Sequence, residues 1–368
     1  MIAAGGTAGH VYPALALADA LVTRSPGARI RFIGTPRGIE RDAVPRAGFD
    51  LQLIDVVPWA RTLGARRFLA PASLAAATSR TRSMFKRSRP TVVVGMGGYA
   101  SLPVVLAARS RHIPALLHEQ NSVPGIANLV GSRFVRRVAL SFEEARARFP
   151  ERTEFRITGN PIRRSIATLD RAAVRAEALE AFGLESGRRT VLVLGGSLGA
   201  ARLNEAAAGL AMRWRERGDV QLLIAAGARH GGAARDRTLT AGSHVHVLDY
   251  IDRVDLAYAA ADVAVCRAGA ATVAELSAVG VPSILVPYPY ARGNHQEGNA
   301  RALERAGGAR VVLDADATAE LLAAALDPLI ADPAALDRMG EAARGFGRPA
   351  AADELAAWTM EIAGSRRA

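Results

Sequence analysis

The stretch Ala4-Gly5-Gly6-Thr7-Ala8-Gly9-His10 (residues 4–10) decides how the first half of the chain folds. Apolar residues precede it, and Val11, Leu15 and Ala18 follow it at helical spacing, so the pattern predicts a strand, a glycine turn and a helix. The N–H groups at the start of such a helix attract anions, and the helix dipole strengthens the attraction. The stretch therefore predicts an anion-binding turn, to which His10 adds a titratable side chain.

A second glycine turn, at residues 195–199, follows an apolar strand and precedes a helix in the same way. Apolar stretches of strand length alternate with helical stretches through both halves, which is typical of parallel sheets. We therefore expect an α/β fold of two Rossmann-like domains, with ligands bound in an interdomain cleft at the carboxyl ends of the strands. The expected domains are residues 1–160 and 161–345, and residues 346–368 are expected to contain a helix that packs back on the first domain.

The composition indicates a globular chain with a large aliphatic core. Of its 368 residues, 50% are hydrophobic and 22% are charged, which suits about two domains. The single cysteine, Cys266, excludes an intramolecular disulfide and fits a reducing compartment. We expect no signal peptide, and no apolar run approaches the ~18 residues of a membrane span. These features predict a cytoplasmic protein and leave peripheral association with a membrane open.

The net charge of +12 is concentrated in the first half of the chain. Residues 1–160 contain 23 basic and 10 acidic residues, and the remainder contains 24 and 25. Residues 56–118 contain ten basic residues, large apolar residues and no carboxylate. This stretch has three interpretations: a solvated face, a nucleic-acid site without a recognition motif, or a surface that binds anionic lipid. The candidate membrane patch comprises Trp59, Phe68, Leu69, Arg82, Phe85, Lys86 and Arg87.

Four local patterns each have a functional and a structural interpretation. Ser197 can hold a phosphate oxygen or cap a helix, and Arg163 can neutralise a diphosphate or remain an exposed cation. Thr272 and Glu275 have the spacing of a capping box, but a carboxylate such as Glu275 also suits a ribose diol. The polar residues 294–299 suit sugar hydroxyls or form a plain loop. We find no dinucleotide fingerprint, P-loop, zinc cluster or serine elbow, so we expect no cofactor and no metal.

An ordered set of motifs spans nearly the whole chain. The motifs are Gly5-Gly6-Thr7-Ala8-Gly9-His10, Gly95-Met96-Gly97-Gly98-Tyr99, His118-Glu119-Gln120-Asn121, Thr158-Gly159-Asn160-Pro161, Gly195-Gly196-Ser197-Leu198-Gly199-Ala200, Cys266-Arg267-Ala268-Gly269 through Glu275, and His295-Gln296 with Asn299. In this order and spacing they closely resemble the MurG family of GT-B glycosyltransferases (glycosyltransferase family 28). The resemblance implies an inverting, metal-independent enzyme. Such an enzyme moves N-acetylglucosamine from UDP to the C4 hydroxyl of the muramoyl sugar of lipid I, giving lipid II for peptidoglycan synthesis.

The resemblance also implies a role for each residue that matches a family motif. His10 would be the general base, with Tyr99, His118 and Asn121 on the acceptor side. The implied donor-binding residues are Thr7, Ala8, Gly9, Asn121, Arg163, Ser197, Tyr250, Ile251, Ala270, Ala271, Thr272, Glu275, Gln296 and Asn299. The implied partners are UDP-N-acetylglucosamine, lipid I, the anionic inner leaflet of the plasma membrane and other cell-wall or division proteins, without nucleic acid.

Two positions depart from the family pattern. Only four residues precede Gly5, so the first strand is either short or continued upstream of Met1. Leu198 stands where the family often has glutamine, which removes a side-chain amide near the phosphates. Two other functions remain as alternatives: a related GT-B transferase that acts on another lipid or natural-product acceptor, and a non-catalytic scaffold of the cell-wall machinery.

Overall fold

The computed structural model describes residues 1–57, 70–195, 200–227, 231–238, 240–242 and 244–364. The chain divides into two compact units. Unit 1 comprises Met1–Arg163 together with the stretch that begins at Ala350, and unit 2 comprises Arg164–Pro349. Each unit contains one parallel sheet with helices between successive strands. The α/β class and the two Rossmann-like folds that the sequence predicts are therefore confirmed.

The strands of the described residues form two sheets. Unit 1 contains β1 (Ile2–Ala3), β2 (Arg31–Gly34), β3 (Asp50–Leu53), β4 (Val93–Gly95), β5 (Ala115–Glu119), β6 (Arg137–Leu140) and β7 (Glu154–Ile157). Unit 2 contains β8 (Arg189–Leu194), β9 (Val220–Ala225), β10 (Val245–Leu248), β11 (Val263–Cys266), β12 (Ser283–Leu285) and β13 (Ala309–Val311). The strand orders are β3-β2-β1-β4-β5-β6-β7 and β10-β9-β8-β11-β12-β13.

Helices connect these strands. The first nine are α1 (Ala8–Arg24), α2 (Glu40–Arg46), α3 (Ala70–Ser88), α4 (Ser101–Ser110), α5 (Ile126–Gly131), α6 (Arg164–Ala167), α7 (Arg171–Ala181), α8 (Ala201–Arg213) and α9 (Gly231–Thr238). The remaining described helices are α10 (Val254–Ala260), α11 (Ala270–Val279), α12 (His295–Arg305), α13 (Ala319–Ala331), α14 (Pro333–Phe346) and α15 (Ala351–Gly364). Short 3-10 helices span Glu143–Arg148, Arg292–Asn294 and Asp314–Asp316.

The strand order reverses beside the first strand of each sheet. In unit 1, β1 lies between β2 and β4, and in unit 2, β8 lies between β9 and β11. At such a reversal the connections leave the carboxyl ends of neighbouring strands in opposite directions, and the crevice that opens there binds ligands in open α/β folds. Among the described residues, the loops that follow β1, β4 and β11 are therefore the ones that build the candidate sites.

The first strand is short, yet it occupies the centre of its sheet. Ile2 pairs with both Phe32 and Val94, and both residues of β1 are buried. Because successive side chains of a strand point to opposite faces, Ile2 enters the apolar cluster of α1 and α15, and Ala3 enters the cluster of α3 and α4. Two residues thus anchor the turn that follows β1 to the cores on both sides of the sheet.

The last described helix belongs to the core of unit 1. α15 packs against α1 and buries Leu355, Trp358 and Ile362 in the same apolar cluster as Ile2. The Arg156 guanidinium lies 4.6 Å from the centre of the Trp358 ring. The structure thus places the C-terminal helix on the first Rossmann-like fold, behind the strand that carries the first glycine turn.

Candidate functional site

The two loops at the strand reversal of unit 1 pack directly on each other. The turn after β1 contains Gly5 and Gly6, and the turn after β4 contains Gly97 and Gly98. Gly97 and Gly98 have φ values of 86° and 75°, in the left-handed region that favours glycine. A Cβ atom at Gly98 would collide with the carbonyl oxygen of Gly5. Glycine is therefore required at Gly98 for the two loops to approach each other.

His10 lies at the start of α1, where these two loops meet. The Thr7 hydroxyl oxygen is 2.9 Å from Nδ1 of His10, and Thr7 is the residue that precedes the helix. A Cβ atom at Gly97 would lie 2.7 Å from Cδ2 of His10, so the imidazole rests on the Gly97 backbone. The ring is half-buried and its orientation is fixed from two sides. This arrangement suits a proton acceptor whose direction has to be defined.

The first glycine turn differs from the anion-binding turn that the sequence predicts. The backbone N–H of Gly6 donates to Oε2 of Glu40 at 3.0 Å. Oε1 of the same carboxylate accepts from the N–H and the hydroxyl of Thr35, each at 2.8 Å. Glu40 is fully buried. The Gly6 N–H is therefore already hydrogen-bonded to a carboxylate of the protein itself. The interpretation of this turn as a simple binding site for a phosphate is wrong.

His118 is an interior residue, so the expectation that it lines the acceptor side is wrong. Its ring is 0% exposed, Nε2 donates to the Gly159 carbonyl at 2.9 Å, and Nδ1 accepts from the Gln120 amide at 2.9 Å. Burial, with a smaller contribution from the nearby His10, lowers the pKa of His118 to about 4, and the hydrogen bond to Gly159 opposes this shift. The neutral ring thus ties the end of β5 to the segment that follows β7.

The loop after β5 is held by a second buried carboxylate. Glu119 accepts from the backbone N–H groups of Asn121 and Gly125, each at 3.0 Å, and from the Asn128 side chain at 2.8 Å. Burial raises the pKa of Glu119, and these hydrogen bonds oppose the rise. Near the ends of these loops, Tyr99 is exposed and Asn121 is partly exposed. Both keep the exposure that a substrate contact requires.

In unit 2, the segment after β11 presents the start of α11. Gly269 precedes the helix, and among the described residues no side chain caps the N–H groups of its first turn, Ala270, Ala271 and Thr272. The capping-box interpretation of Thr272 and Glu275 is therefore wrong, since the helix begins two residues before Thr272. Uncapped N–H groups and the helix dipole favour an anion at this position.

Glu275 lies one turn further along α11, with its carboxylate partly exposed. Its Oε2 accepts a hydrogen bond from the Tyr258 hydroxyl at 2.9 Å, which orients the carboxylate. Tyr250 is 56% exposed in the loop after β10, whereas the adjacent Ile251 side chain is buried. Of this pair, Tyr250 can offer its side chain to a ligand, and Ile251 can offer only its backbone.

Arg267, in the loop after β11, ties three strand ends of unit 2 together. Its guanidinium donates to the carbonyl of Val286 at 3.2 Å and forms an ion pair with Asp314 at 2.5 Å. It also lies 5.7 Å from the centre of the Tyr288 ring. Asp314 and Asp316 form an Asp-x-Asp pattern, and Asp314 is engaged by Arg267. Among the described residues, no three His, Cys, Asp or Glu side chains are grouped as metal ligands.

The two residues of the polar segment 294–299 that are predicted to bind the donor differ in exposure. Gln296 is partly exposed, and its side-chain oxygen accepts from the Tyr288 N–H at 2.9 Å. Asn299 is 0% exposed and donates to the Ala268 carbonyl at 3.2 Å. The expectation that Asn299 contacts the donor directly is therefore wrong. Asn299 holds the loop that precedes α11.

The remaining predicted site residues either lie at the surface of unit 1 or fall outside the described residues. Arg163 is exposed at the end of unit 1, with its guanidinium 5.8 Å from the centre of the Tyr12 ring. Thr7 is exposed, and Ala8 and Gly9 are partly exposed at the start of α1. The predictions for Ser197, Trp59, Phe68 and Leu69 lie outside the described residues.

The described part of the candidate membrane patch forms one basic face on α3. The exposed cations are Arg80, Arg82, Lys86 and Arg87. None of the ion pairs found among the described residues includes them. Phe85 is 1% exposed in the core of unit 1, so its assignment to the patch is wrong. No helix in the described part of the chain is both long enough and apolar enough to span a bilayer.

The site residues that the sequence predicts do not include three side chains that hold the loops in place, Glu40, Glu119 and Arg267. A signal exists for Glu40. It follows β2 within a stretch that contains Gly34 and Gly38, and a Cβ at either glycine would collide with its side chain. A carboxylate that follows a strand and two closely spaced glycines therefore indicates a buried anion in such a fold.

Comparisons with known proteins agree with this architecture. The family model described as "Glycosyltransferase family 28 N-terminal domain" matches residues 1–140. The model described as "Glycosyltransferase family 28 C-terminal domain" matches residues 190–355. A Nocardioides protein named "UDP-N-acetylglucosamine--N-acetylmuramyl-(pentapeptide) pyrophosphoryl-undecaprenol N-acetylglucosamine transferase" is 47% identical over 363 residues, 98% of this chain and 97% of that protein. A Halothermothrix orenii protein of the same name is 40% identical and covers 95% of both chains.

A solved structure is also similar. The crystal structure of Acinetobacter baumannii MurG has a TM-score of 0.79 and 30% sequence identity, and the match covers 98% of each chain. The sequence identities extend over both units, and the glycine turns lie at the strand reversals of both sheets. The chain therefore belongs to the MurG family of GT-B glycosyltransferases, glycosyltransferase family 28.

Proposed function

We propose that the chain transfers N-acetylglucosamine from UDP to the C4 hydroxyl of N-acetylmuramic acid in undecaprenyl-pyrophosphoryl-N-acetylmuramyl-pentapeptide (lipid I), which forms lipid II in peptidoglycan synthesis. The observation that carries this proposal is the 47% identity to a transferase of that name over 98% of the chain. His10, held between two glycine turns, supplies the acid–base group that such a transfer needs. Incubation of the purified chain with radiolabelled UDP-N-acetylglucosamine and a lipid I analogue tests it.

The donor nucleotide would bind to unit 2. The uncapped N–H groups at the start of α11 suit its diphosphate, and the carboxylate of Glu275 suits the two ribose hydroxyls. Tyr250 offers an exposed ring and Ile251 a backbone edge to the uracil. Gln296 and the exposed Arg163 complete the set that the family resemblance implies, the first for the sugar and the second for the diphosphate.

His10 would act as the general base in a single displacement. With Nδ1 protonated and donating to the Thr7 hydroxyl, Nε2 is the nitrogen that accepts the proton of the acceptor hydroxyl. The hydroxyl oxygen forms a bond to the anomeric carbon as the bond from that carbon to the diphosphate breaks, so the anomeric centre inverts. UDP leaves with the electron pair, and the amides at the start of α11 stabilise its charge without a metal.

Glu275→Ala should raise the KM for UDP-N-acetylglucosamine about tenfold or more, because hydrogen bonds to a charged group are worth about 1.5–3 kcal/mol. Steady-state kinetics measures this effect, and calorimetry with UDP confirms it. Tyr258→Phe is the matched control, since it removes only the hydrogen bond that orients the carboxylate, and its KM should change less than about threefold. Unchanged UDP affinity in the Glu275 variant would reject the ribose assignment.

We also propose that the enzyme works as a peripheral protein at the cytoplasmic leaflet, with α3 against anionic lipid. Each basic group near such a surface contributes about 1 kcal/mol. Arg87→Ala should therefore weaken cosedimentation with phosphatidylglycerol vesicles about fivefold. Arg46→Ala, which removes an exposed cation at the end of α2, is the matched control and should have little effect. Equal binding by both variants would leave α3 as a solvated face.

A further inference from the structure

Glu40 is a buried carboxylate that joins the first glycine turn of unit 1 to the segment after β2. Its side chain is 0% exposed, and its two oxygens accept three hydrogen bonds, from the N–H of Gly6 and from the N–H and hydroxyl of Thr35. Both backbone partners can only donate. The ionised carboxylate satisfies both oxygens in this arrangement, since no partner requires a proton from Glu40.

The surrounding chain is shaped to admit this side chain. A Cβ at Gly34 would lie 2.5 Å from Cγ of Glu40, and a Cβ at Gly5 would lie 2.8 Å from Oε1. A Cβ at Gly38 would collide with the carboxylate itself. Three glycines, at the end of β2 and in the segments after β1 and β2, thus leave the volume that the carboxylate fills. The socket joins the turn after β1 to the turn after β2.

The hydrogen bond to Gly6 reaches His10 through a short stretch of backbone. Gly6 has a φ of 96°, in the left-handed region that favours glycine, and Glu40 holds its N–H group. The next residue, Thr7, accepts the first helical hydrogen bonds of α1, from the N–H groups of His10 and Val11. The Thr7 hydroxyl also contacts the His10 ring. Glu40 therefore fixes the residue that orients the imidazole.

The same carboxylate decides which anions the turn can take. Glycine turns that precede a helix at a strand reversal bind the phosphates of nucleotides in many α/β proteins. Here the Gly6 amide already has an anionic partner, and a phosphate beside it would face a buried like charge. The turn therefore favours a neutral group such as a sugar, and the diphosphate of the donor would bind to unit 2.

We propose that Glu40 is a positioning residue of the transferase: it replaces a phosphate in the first glycine turn and so sets the orientation of His10. This inference rests on the proposed function, because its readout is glycosyl transfer. Removal of the Gly6–Glu40 bond should slow the step in which His10 takes the proton. It should largely spare donor binding, since Glu275 and Gln296, the residues proposed for the ribose and the sugar, belong to unit 2, and only the donor contacts implied for Thr7, Ala8 and Gly9 lie at this turn.

The test compares Glu40→Gln with Thr35→Ala in steady-state transfer to a lipid I analogue. A glutamine keeps the volume, but in either orientation its NH2 group faces one backbone N–H, so the turn loses its fixed position. We expect kcat of the Glu40→Gln enzyme to fall about tenfold or more, with the KM for UDP-N-acetylglucosamine within about twofold of wild type. Thr35→Ala removes one hydrogen bond from the same carboxylate and keeps the Gly6 contact, so its kcat should stay within about twofold.

Glu40→Asp gives a second variant, which keeps the charge but withdraws it by one methylene from Gly6. It should also lower kcat and spare the donor KM. Full kcat in a folded Glu40→Gln or Glu40→Asp enzyme would overturn the inference. So would a failure of both variants to fold while Thr35→Ala folds, because Glu40 would then be purely structural. An inactive wild-type enzyme in the same assay would instead reject the proposed function.

Discussion

Replacement of His10 by alanine should lower kcat about 100- to 10,000-fold, the usual contribution of a positioned general acid or base. The ring is held by the Thr7 hydroxyl and by the backbone of Gly97, so its loss removes a proton acceptor of defined direction. Binding of UDP should persist, because the donor residues that we propose lie mainly in unit 2. Steady-state kinetics with a lipid I analogue and calorimetry with UDP measure the two quantities.

A matched control for this variant is His112→Asn. His112 is exposed at the end of α4 and has a φ of 51°, which asparagine tolerates better than most residues. Its replacement should leave kcat unchanged. A His10→Ala enzyme whose kcat stays within about threefold of wild type would remove His10 as the base. A loss of UDP binding in parallel with kcat would point to a folding defect instead.

The second large effect concerns the stability of unit 1 at acid pH. The pKa of His118 is lowered to about 4 by burial, against about 6.5 in the unfolded chain. Between these values the unfolded state binds a proton that the native state does not, so stability is lost as the pH falls from about 6.5 to about 4. A pKa difference of this size corresponds to about 3 kcal/mol in the free energy of unfolding.

The variant that isolates this contribution is His118→Gln, compared with wild type by urea denaturation at pH 7 and pH 4. Glutamine can still donate to the Gly159 carbonyl but does not titrate. Its destabilisation relative to wild type should therefore shrink by about 3 kcal/mol at the lower pH. The comparison cancels the contribution of Glu119, whose burial raises its pKa and acts with the opposite sign. A destabilisation that is the same at both pH values would show that protonation of His118 does not cause the loss of stability at acid pH.

The fold and its ligand-bearing loops are largely predictable from the sequence. Strands buried on both faces appear as short apolar runs, as in β4, β5, β8 and β11. Two glycine turns, His10 and Glu275 follow the carboxyl ends of β1, β4 and β11. Local sequence is sufficient there because strand length, turn chemistry and helix spacing agree with one another.

What escapes prediction depends on distant parts of the chain. Glu40 and Gly6 are 34 residues apart, and nothing near Gly6 indicates that its amide already has a partner. His118 and Asn299 look like surface ligands in their polar motifs, but the packing of neighbouring segments buries both. Phe85 shares a helix with basic residues yet points into the core. Each error comes from tertiary packing that local sequence does not encode.

The most direct test of the proposed function is the product that the purified chain forms from UDP-N-acetylglucosamine and a lipid I analogue. We expect a disaccharide in which N-acetylglucosamine is joined through an inverted, β-configured bond to C4 of the muramoyl sugar, with release of UDP. UDP-N-acetylglucosamine should be preferred over other UDP-sugars. An α-configured product, transfer to a different acceptor in preference to lipid I, or absence of transfer while UDP still binds would contradict it.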